Sequence, residues 1–478
     1  MKVLLINPPR TQNIPVIREE RCEITERYSV LPPYSLLQIA ALLGQGGHQV
    51  LLIDANGEDI AYDELSCRLK GLPYDALIFR FTPTTFDWDI ETANLSKSLS
   101  PQAAIIAICW TLRTMPQEVL AKAPSLDIYV RHEYEVVVPK LVDALAGGTE
   151  LVQVAGISYR QAGSIFHNPD AQPIVDYDSL PMPAYDLLPG FRDYFINTPA
   201  GKPFTIMYTS KGCPYSCIFC TVARTKWKKR SAKSILEELR YLKRNYDIKT
   251  VSFFDETFTI DHQRVVDIAQ GVKETRLGIK WYCNTRVDLV DEGLMQVMYK
   301  GGCRGISYGV ESASQEVLDN AKKGSTVEQA ENAVKWAKKA GIKVYCSFIF
   351  GLPGETPETV AETLGFIKRL LPTGAQFNVA VPYPETELYD ILYREGAQPP
   401  PSWESLYQHQ AVASTKALST DELDQARLSA YRTLYFNPRW WLQNIWHVLR
   451  HPGDFDLASR YAIKIANNYL FHRMKHAH

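Results

Sequence analysis

Three cysteines in one short loop constrain this chain more than any other feature. Cys213, Cys217 and Cys220 stand at C-x3-C-x2-C spacing, directly after an apolar run, Phe204 to Tyr208, that predicts a strand. That spacing lets three thiolates converge from one tight loop on one inorganic cluster. Three protein ligands suit a 4Fe–4S cube with one iron left open for a substrate or a second cofactor.

Two other interpretations of these cysteines stay open from the residues alone. A zinc knuckle needs a fourth Cys or His at matching spacing, and the next cysteine along the chain is the distant Cys283. The thiols could also be incidental core residues. That description suits Cys283, Cys303 and Cys346 better, because they fall within or just before predicted strands, and we expect these three to pack rather than ligate.

The cysteine loop opens a region, residues 201–390, in which six strand patterns alternate with helical patterns. Six βα units predict an open (β/α)6 barrel, and the chemistry of such barrels lies at the carboxyl ends of the strands. The six strands are predicted at Phe204–Tyr208, Thr250–Phe254, Lys280–Asn284, Gly305–Val310, Lys343–Phe350 and Gln376–Val381.

The loop from Lys211 to Cys220 and its surroundings resemble the radical S-adenosylmethionine (SAM) superfamily. The resemblance implies that the amino and carboxylate groups of SAM chelate the open iron. It also implies that one electron from the cluster cleaves SAM into methionine and a 5′-deoxyadenosyl radical, while the protein positions the cofactors and excludes water. An electron donor such as a flavodoxin or ferredoxin is then required.

The same resemblance implies roles for the polar residues at the strand ends. Asp255 and Glu256 resemble the G-G-E position that holds the SAM ammonium group by charge-assisted hydrogen bonds, although both glycines are replaced and Asp261 is the better cap for the following helix. Glu311 matches the carboxylate that accepts hydrogen bonds from the ribose hydroxyls. Arg286 either pairs with the SAM carboxylate or forms a salt bridge with Asp288.

Two further segments match the places where the family contacts adenine. The fifth strand runs from Ser347 into Gly351-Leu352-Pro353-Gly354-Glu355, and its glycines permit close approach to a flat ring. The sixth strand ends at Pro382-Tyr383, which looks like the segment whose backbone meets adenine. The cofactor-binding candidates are therefore Asp255, Glu256, Arg286, Glu311, Ser347, Gly351, Pro382 and Tyr383.

Residues 1–148 alternate short apolar strands with helical segments, which predicts a Rossmann-like parallel sheet covered on both faces. Phrases such as Leu5-Ile6-Asn7-Pro8-Pro9 and Gly47-His48-Gln49-Val50 resemble the N-terminal cobalamin-binding domain of class B radical SAM enzymes. The D-x-H-x-x-G histidine loop is absent. Arg80 and Trp110 stand at strand ends where the family carries small residues. Two alternatives therefore remain: a bound cobalamin, or a domain that kept the fold and lost the cofactor.

Two segments flank these domains. Residues 149–200 are predicted to be a linker with one small hairpin strand, and residues 391–478 a helical C-terminal extension. In the extension, Pro399-Pro400-Pro401 predicts a stiff spacer and Thr420 to Tyr435 a helix capped by Ser419. The aromatic run from Trp440 to Trp446 predicts either a docked helix or an interfacial patch that meets an apolar substrate or a membrane surface.

Composition excludes several functions. The net charge of −1 over 478 residues gives no reason to expect a nucleic-acid partner. The sequence contains no uninterrupted apolar run of about 18 residues, so no transmembrane span is expected. Pro8 and Pro9 interrupt the first apolar run too early for a signal peptide. Nine cysteines, three of them in one loop, suit a reducing cytoplasm better than a disulfide framework. A basic run, Lys226 to Arg230, is either a solvated loop or faces a reductant or anionic substrate.

Taken with the resemblance, these features predict a cytoplasmic radical SAM enzyme that uses a 4Fe–4S cluster, SAM and cobalamin. The expected reaction is cobalamin-dependent methylation of an unactivated carbon on a large, apolar, small-molecule or lipid-like substrate. Cobalamin-independent radical cyclisation, ring contraction or carbon–carbon bond formation in lipid or tetrapyrrole biosynthesis is the alternative. An electron-transfer or sensing protein that only uses the cluster is a third class, and a SAM-binding measurement separates it from both.

Overall fold

Two large sheets flanked by helices organise the protein. The computed structural model describes residues 1–19, 23–24, 29–196, 201–394 and 402–450. One sheet lies in the N-terminal part of the chain and the other in the central part. No helix in the described ranges combines the length and apolar character needed to cross a membrane.

The N-terminal sheet has seven strands in the order β2-β1-β3-β4-β5-β6-β7. The first five are parallel, and the hairpin β6–β7 adds antiparallel to β5. The sequence predicted a small hairpin strand in this region, and the hairpin is present. It does not stand apart as a linker but extends the sheet, where it pairs with β5, which would otherwise be an unpaired edge. The strands are β1 Lys2–Asn7, β2 Gln49–Asp54, β3 Ala76–Arg80, β4 Ala104–Ile108, β5 Ile128–Val130, β6 Ile157–Gln161 and β7 Ser164–His167.

The central sheet has six parallel strands whose order follows the chain, as expected for a (β/α)6 partial barrel. Every predicted strand is present, with bounds that differ by a few residues. Cys283, Cys303 and Cys346 are buried in these strands, which confirms that they pack. The strands are β8 Phe204–Met207, β9 Thr250–Phe253, β10 Lys280–Arg286, β11 Cys303–Glu311, β12 Lys343–Phe350 and β13 Gly374–Val379.

Fourteen helices are described, and local capping explains several of their ends. Asp261 caps α7 as predicted, and α13 has the predicted bounds with a capping box between Ser419 and Glu422. The helices are α1 Tyr34–Gln45, α2 Tyr62–Leu69, α3 Phe86–Leu99, α4 Pro116–Lys122, α5 Tyr134–Gly147, α6 Ala232–Tyr246, α7 His262–Glu274, α8 Glu292–Lys300, α9 Gln315–Asn320, α10 Val327–Ala340, α11 Pro357–Leu370, α12 Glu387–Arg394, α13 Thr420–Tyr435 and α14 Pro438–Arg450.

A buried polar cluster joins the N-terminal domain to the barrel. Glu238 on α6 is fully buried, and its carboxylate pairs with Arg230 and accepts a hydrogen bond from the hydroxyl of Tyr185. Tyr34 on α1 packs on Tyr208 with ring centroids 5.4 Å apart. A carboxylate buried to this degree needs such partners, so the cluster fixes how the N-terminal domain lies on the barrel.

The C-terminal extension covers the outer edge of the barrel sheet. The Tyr431 ring of α13 meets the Phe377 ring of β13 edge-on at 4.8 Å, and its hydroxyl accepts the backbone N–H of Phe377. This covers an otherwise unpaired edge strand. The Trp440 indole donates to Pro372 O at 3.1 Å, and the Trp441 indole donates to Tyr435 O. The first two tryptophans of the aromatic run are therefore docked.

The rest of that aromatic run is exposed. Leu442, Ile445 and Trp446 are all more than half exposed on one side of α14. The interfacial interpretation therefore stays a prediction for this part of the helix. The predicted proline spacer at 399–401 and the chain after Arg450 lie outside the described residues.

Candidate active site

The cysteine loop, residues 211–228, follows β8 and is closed by its own backbone. A short hairpin pairs Ser210–Lys211 with Lys228–Lys229. Inside it, the N–H of Thr225 donates to Cys213 O at 3.0 Å and the N–H of Cys220 donates to Cys217 O at 3.2 Å. Gly212 has φ +87°, and a Cβ there would lie 2.4 Å from a backbone oxygen of the returning strand. Only glycine permits this turn.

The three thiols of this loop lie close enough to influence one another electrostatically. Cys213 and Cys217 are buried, whereas Cys220 is partly exposed as a residue. Burial raises the pKa of the Cys213 thiol, and it raises that of Cys220 to about 12. Without a metal the two thiols are therefore protonated at neutral pH, and binding of metal must displace their protons.

Positive charge lies beside these thiols. The Arg286 guanidinium donates to Cys217 Sγ at 3.7 Å, and the charge of the buried Lys323 interacts with both Cys217 and Cys220. Such cations compensate thiolate charge in a dry site. In the described ranges, no three Cys, His, Asp or Glu side chains are spaced to hold one metal ion.

Asp255 does not face an open site. It is fully buried, and Oδ1 accepts the N–H of Thr209 at 2.6 Å while Oδ2 accepts the Ser210 hydroxyl at 2.6 Å. Thr209 also donates its hydroxyl to the carboxylate, and Arg264 lies 3.7 Å away. These contacts favour a positioning role for Asp255 at the exit of β8, and its role as a ligand of the SAM ammonium group stays a prediction.

Glu256 is the better candidate for an ammonium ligand. Its side chain is only half-buried, and its negative charge contributes to raising the pKa of Cys213, so it lies near the cluster ligands. The neighbouring residue, Asp255, points back into the core, whereas Glu256 lies on the side of the cysteine loop. A carboxylate beside an open iron can accept charge-assisted hydrogen bonds from an amino group.

Arg286 forms the salt bridge that the sequence offered as one of two possibilities. Its Nε and Nη2 lie 2.9 and 3.0 Å from the two oxygens of Asp288. The guanidinium also stacks on Tyr215, 3.9 Å from the ring centroid, and donates to the backbone oxygen of Lys323. Arg286 therefore ties β10 to the cysteine loop, with only its edge directed at Cys217.

Glu311 lies at the end of β11 in a buried ion pair. Its Oε1 accepts from Lys323 Nζ at 2.8 Å and its Oε2 accepts from the Ser347 hydroxyl at 3.3 Å. Burial lowers the pKa of Lys323, but the charges of Glu311 and Cys217 and the hydrogen bond to Glu311 together raise it above its usual value. A Cβ at Gly309 would lie 2.4 Å from the Glu311 carboxylate. The strand end therefore holds this carboxylate beside β12, where it can also accept hydroxyl donors.

The two predicted adenine segments differ in character. Gly351 has φ +92° and donates its N–H to the buried Glu355 carboxylate. Burial raises the pKa of Glu355 to about 7. Pro382 and Tyr383 are buried, and the Tyr383 hydroxyl donates to Leu406 O at 3.4 Å. The Tyr383 side chain thus packs on the C-terminal chain, while its backbone N–H donates to Val381 O and its carbonyl oxygen accepts from Thr386.

Two ion pairs join the N-terminal domain to both strands of the cysteine-loop hairpin. Lys211 pairs with Glu135 at 3.0 Å, and Lys228 donates to both oxygens of Glu133 at 2.7 Å. All four side chains are largely buried. Sequence reasoning missed these pairs and Lys323, because the partners lie far apart in the chain and no motif marks them.

Trp110 forms a third link between the N-terminal domain and this loop. Its indole donates to Thr221 O at 3.1 Å, one residue past the last cysteine. Arg113 stacks on the indole ring at 4.5 Å and forms a salt bridge with Glu385 at 2.6 Å. The tryptophan therefore lies between the sheet edge and the cysteine loop, where the sequence predicted an obstacle.

Arg80 lies at the edge of the N-terminal sheet between two cavities. It is buried, donates to Glu19 O at 3.0 Å and lies over the Tyr134 ring. A small cavity on one side is also lined by Asn7 at the end of β1. A second small cavity reaches Trp110 and Lys211. The openings thus run along the carboxyl edge, where such sheets bind ligands.

Comparison with known proteins agrees with this arrangement. Residues 207–367 match the family model described as the radical SAM superfamily. The chain is 32% identical to an uncharacterized methyltransferase of Pyrococcus horikoshii, over 93% of this chain and 95% of that protein. It is 29% identical to the anaerobic magnesium-protoporphyrin IX monomethyl ester cyclase of Rubrivivax gelatinosus, over 76% of this chain and 66% of the cyclase.

A solved structure has the same architecture. The radical SAM methyltransferase TsrM of Kitasatospora setae, solved with cobalamin and a [4Fe-4S] cluster bound, superposes with a TM-score of 0.71. The match covers 90% of each chain at 16% identity. At that identity the likeness establishes the fold, including the N-terminal domain of cobalamin-binding type.

Proposed function

Because this chain belongs to the radical SAM superfamily, in the group with an N-terminal domain of cobalamin-binding type, we propose that it is a cobalamin-dependent methyltransferase acting on an unactivated carbon. One observation carries the proposal. The carboxyl edge of the N-terminal sheet is fastened directly to the cysteine loop by Trp110 and by two buried ion pairs. Two cofactor regions are thereby held against each other, as a methyl transfer between cofactor and substrate requires.

The cysteine loop fits a 4Fe–4S cluster. It supplies three thiols, a glycine turn that only Gly212 can make, and two cations, Arg286 and Lys323, beside the sulfurs. A cluster with bound SAM supplies the one-electron reductive cleavage that side chains cannot perform. The chain's own part is to hold the three thiolates, balance their charge and keep water out of the site.

SAM would lie along the strand ends next to this loop. Glu256 would accept hydrogen bonds from its ammonium group, while Glu311 and Ser347 would meet the ribose hydroxyls. Gly351, whose backbone can adopt φ +92°, and the backbone at Pro382 would face the adenine. Asp255 and Arg286 would position the residues around SAM without contacting it, since both are already bound to protein groups.

Replacing Glu311 by Gln is expected to weaken SAM binding while leaving the cluster in place. Gln keeps the size of the side chain but accepts weaker hydrogen bonds, and a lost bond to a charged group costs roughly 1.5–3 kcal/mol. The dissociation constant for SAM, measured by calorimetry on the reconstituted protein, should rise by about ten- to a hundredfold. A Glu316→Gln variant on the exposed side of α9 is the matched control. Unchanged SAM affinity in Glu311→Gln would mean that this carboxylate does not face the ribose.

A corrinoid is proposed to lie at the edge of the N-terminal sheet, where the side chains around two small cavities would have to move apart to admit it. These cavities lie on either side of Arg80, between the switch point of the sheet and Lys211, and have polar and aromatic walls. A bound corrinoid would supply methyl-group transfer, and Asn7, Arg80 and Tyr134 would line its site. The Trp110 indole narrows this opening, so the contact between Trp110 and Thr221 would have to loosen for the whole cofactor to enter.

A direct test is retention of the cofactor. Purified protein incubated with hydroxocobalamin and then desalted should keep about one equivalent of corrinoid, visible in its ultraviolet–visible spectrum. Trp110→Ala should load faster than wild type, because it removes the side chain at the entrance. Failure of both proteins to retain corrinoid would contradict the proposal.

A large apolar substrate is proposed on different grounds from those offered by the sequence. The Trp440 indole binds Pro372 O at the barrel edge and the Trp441 indole binds Tyr435 O of α13, so their indole N–H groups are already engaged. The support comes from the cyclase relative, whose named substrate is a large macrocycle. The same relative favours a second candidate function, radical ring formation without methyl transfer. Following the SAM methyl group into product separates the two.

A further inference from the structure

The last described helix, α14, presents apolar side chains to solvent. Leu442, Ile445, Trp446 and Leu449 are 52% to 68% exposed, and we call these four side chains the apolar face. Their spacing of i, i+3, i+4 and i+7 places them on one stripe of the helix. The functions proposed above do not use this face.

The apolar face lies on the side of α14 that is turned away from the barrel. The Trp440 indole marks the inner side, because it binds Pro372 O at the barrel edge and is only 3% exposed. An α-helix turns by about 100° per residue, so Leu442 and Leu449 lie about 200° and 180° around the axis from Trp440. Packing of α14 on the barrel therefore leaves the apolar face outward.

The sequence around the apolar face is basic. From Gln425 to Gly453 the chain contains four arginines and no Asp or Glu. One of these, Arg439, is exposed and lies about 260° around the axis from Trp440, next to Trp446 at about 240°. Residues 451–478, which lie outside the described ranges, add four Lys or Arg against two Asp. The C-terminal stretch is thus positively charged in a chain whose net charge is −1.

Two neighbouring helices also end in basic turns beside α14. Trp440 binds Pro372 O, two residues after the end of α11, and its ring packs on Tyr435 of α13 with centroids 5.0 Å apart. The last turns of α11 and α13 contribute three exposed cations. Together with Arg439 these cations form what we call the basic border: Lys368, Arg369, Arg432 and Arg439.

Acidic side chains do not offset the basic border. None of its four cations has an ion-pair partner within the described part of the chain. Lys339 of α10 is not counted in the border, because it is paired with Glu292. The acidic residues of α11 and α13 lie in the first halves of these helices, away from α14: Glu358, Glu362, Asp421, Glu422 and Asp424.

We infer that the apolar face and the basic border dock the protein on an anionic lipid surface. Anionic headgroups supply the charge that the basic border lacks, and the boundary with the acyl chains accepts Leu, Ile and Trp side chains. A second copy of the chain would not supply that charge, because a two-fold contact would place one basic border near the other. The residues after Arg450 are positively charged as well. A single projecting helix is convex, which suits a flat bilayer.

Sedimentation with vesicles tests this contact on the reconstituted full chain. Wild type should bind vesicles of phosphatidylcholine mixed with anionic phosphatidylglycerol, and added salt should weaken this binding. The Leu442→Gln/Ile445→Gln variant should show a partition coefficient lower by at least about tenfold, since both substitutions remove apolar surface that would leave water. Val152→Gln/Val175→Gln, the same change at two other exposed positions, is the matched control.

The basic border is tested with a second pair of substitutions. Arg432→Gln/Arg439→Gln should weaken binding to the mixed vesicles by roughly tenfold or more, because each cation near an anionic surface contributes about fivefold. Binding to vesicles of phosphatidylcholine alone should not change. Lys70→Gln/Lys140→Gln, at exposed positions of the N-terminal domain, is the control for charge.

Insertion of the helix is measured separately from adsorption. Lipids brominated on their acyl chains should quench tryptophan emission of the wild type, and they should quench that of Trp446→Phe much less. Equal quenching of both proteins would overturn the inference.

Three further outcomes also overturn it. They are a wild type that does not sediment with the mixed vesicles, a Leu442→Gln/Ile445→Gln variant that binds them as tightly as wild type, and a wild-type dimer that this variant converts to a monomer. The last result would assign the apolar face to a second copy. Leu449→Gln repeats the test at one position should the double variant fail to fold. Vesicle binding needs neither SAM nor corrinoid, so failure of methyl transfer does not affect the result.

Discussion

Replacing Cys213, Cys217 or Cys220 by Ala is expected to remove the iron–sulfur absorbance and to stop formation of 5′-deoxyadenosine. In the proposed site each thiol would supply one of three bonds to the cluster, so removing any one of them would break the set. Losing a residue that hydrogen-bonds to a metal ligand typically costs roughly 10–100-fold, so loss of a ligand itself should cost more. Iron and sulfide analysis after reconstitution, together with chromatographic measurement of 5′-deoxyadenosine, provides the check.

The fold should survive these cysteine substitutions. The loop is closed by backbone hydrogen bonds and by ion pairs to Glu133 and Glu135, none of which uses a cysteine side chain. Circular dichroism should therefore be unchanged. Cys67→Ala, at an exposed position on α2, is the control and should retain full iron content. A triple Ala variant that still cleaves SAM reductively would remove the basis for the assigned site.

Omitting corrinoid is expected to abolish methyl transfer while SAM cleavage continues. The three thiols and the strand-end carboxylates all belong to the barrel, whereas the proposed corrinoid site lies at the edge of the other sheet. The two chemistries should therefore separate. With SAM carrying a deuterated methyl group, corrinoid-loaded protein should yield product heavier by that group, detected by mass spectrometry. Corrinoid-free protein should release 5′-deoxyadenosine without a methylated product.

Arg80 provides a second check on the same prediction. Arg80→Ala should reduce corrinoid retention, because this side chain lies between the two cavities of the proposed site. Its effect on SAM binding should be small, since it belongs to the N-terminal sheet. An enzyme that is fully active without corrinoid, forming a ring or a new carbon–carbon bond with no label in the product, would replace the methyltransferase proposal with the cyclase-type alternative.

Much of the fold follows from local patterns that can be recognised in the sequence. The six barrel strands appear where apolar runs of five to eight residues predict them. Helix α13 begins after Ser419 because the cap and its Glu422 partner are three residues apart. The cluster ligands are likewise local, since one turn brings all three cysteines together. Such features depend on neighbours in the chain and need no knowledge of distant contacts.

The candidate site is less predictable, because its residues have partners elsewhere in the fold. Sequence reasoning placed Asp255 and Glu256 together, yet Asp255 turns to Thr209 and Glu256 does not. It could not decide between the two roles of Arg286, and the salt bridge to Asp288 became visible only in the structure. The hairpin β6–β7 was assigned to a linker because nothing within it shows that β5 needs a neighbour.

The sequence by itself determined the barrel strands, the caps of α7 and α13 and the short loop that carries the three cysteines, because each depends on residues within a few positions of one another. Only the tertiary structure decided that Lys323 pairs with Glu311, that Trp440 docks on the barrel edge, and that Glu133 and Glu135 hold the cysteine loop. The physical reason is burial. A charged or aromatic side chain is buried only where a complementary group contacts it, and only folding brings that group from a distant part of the chain.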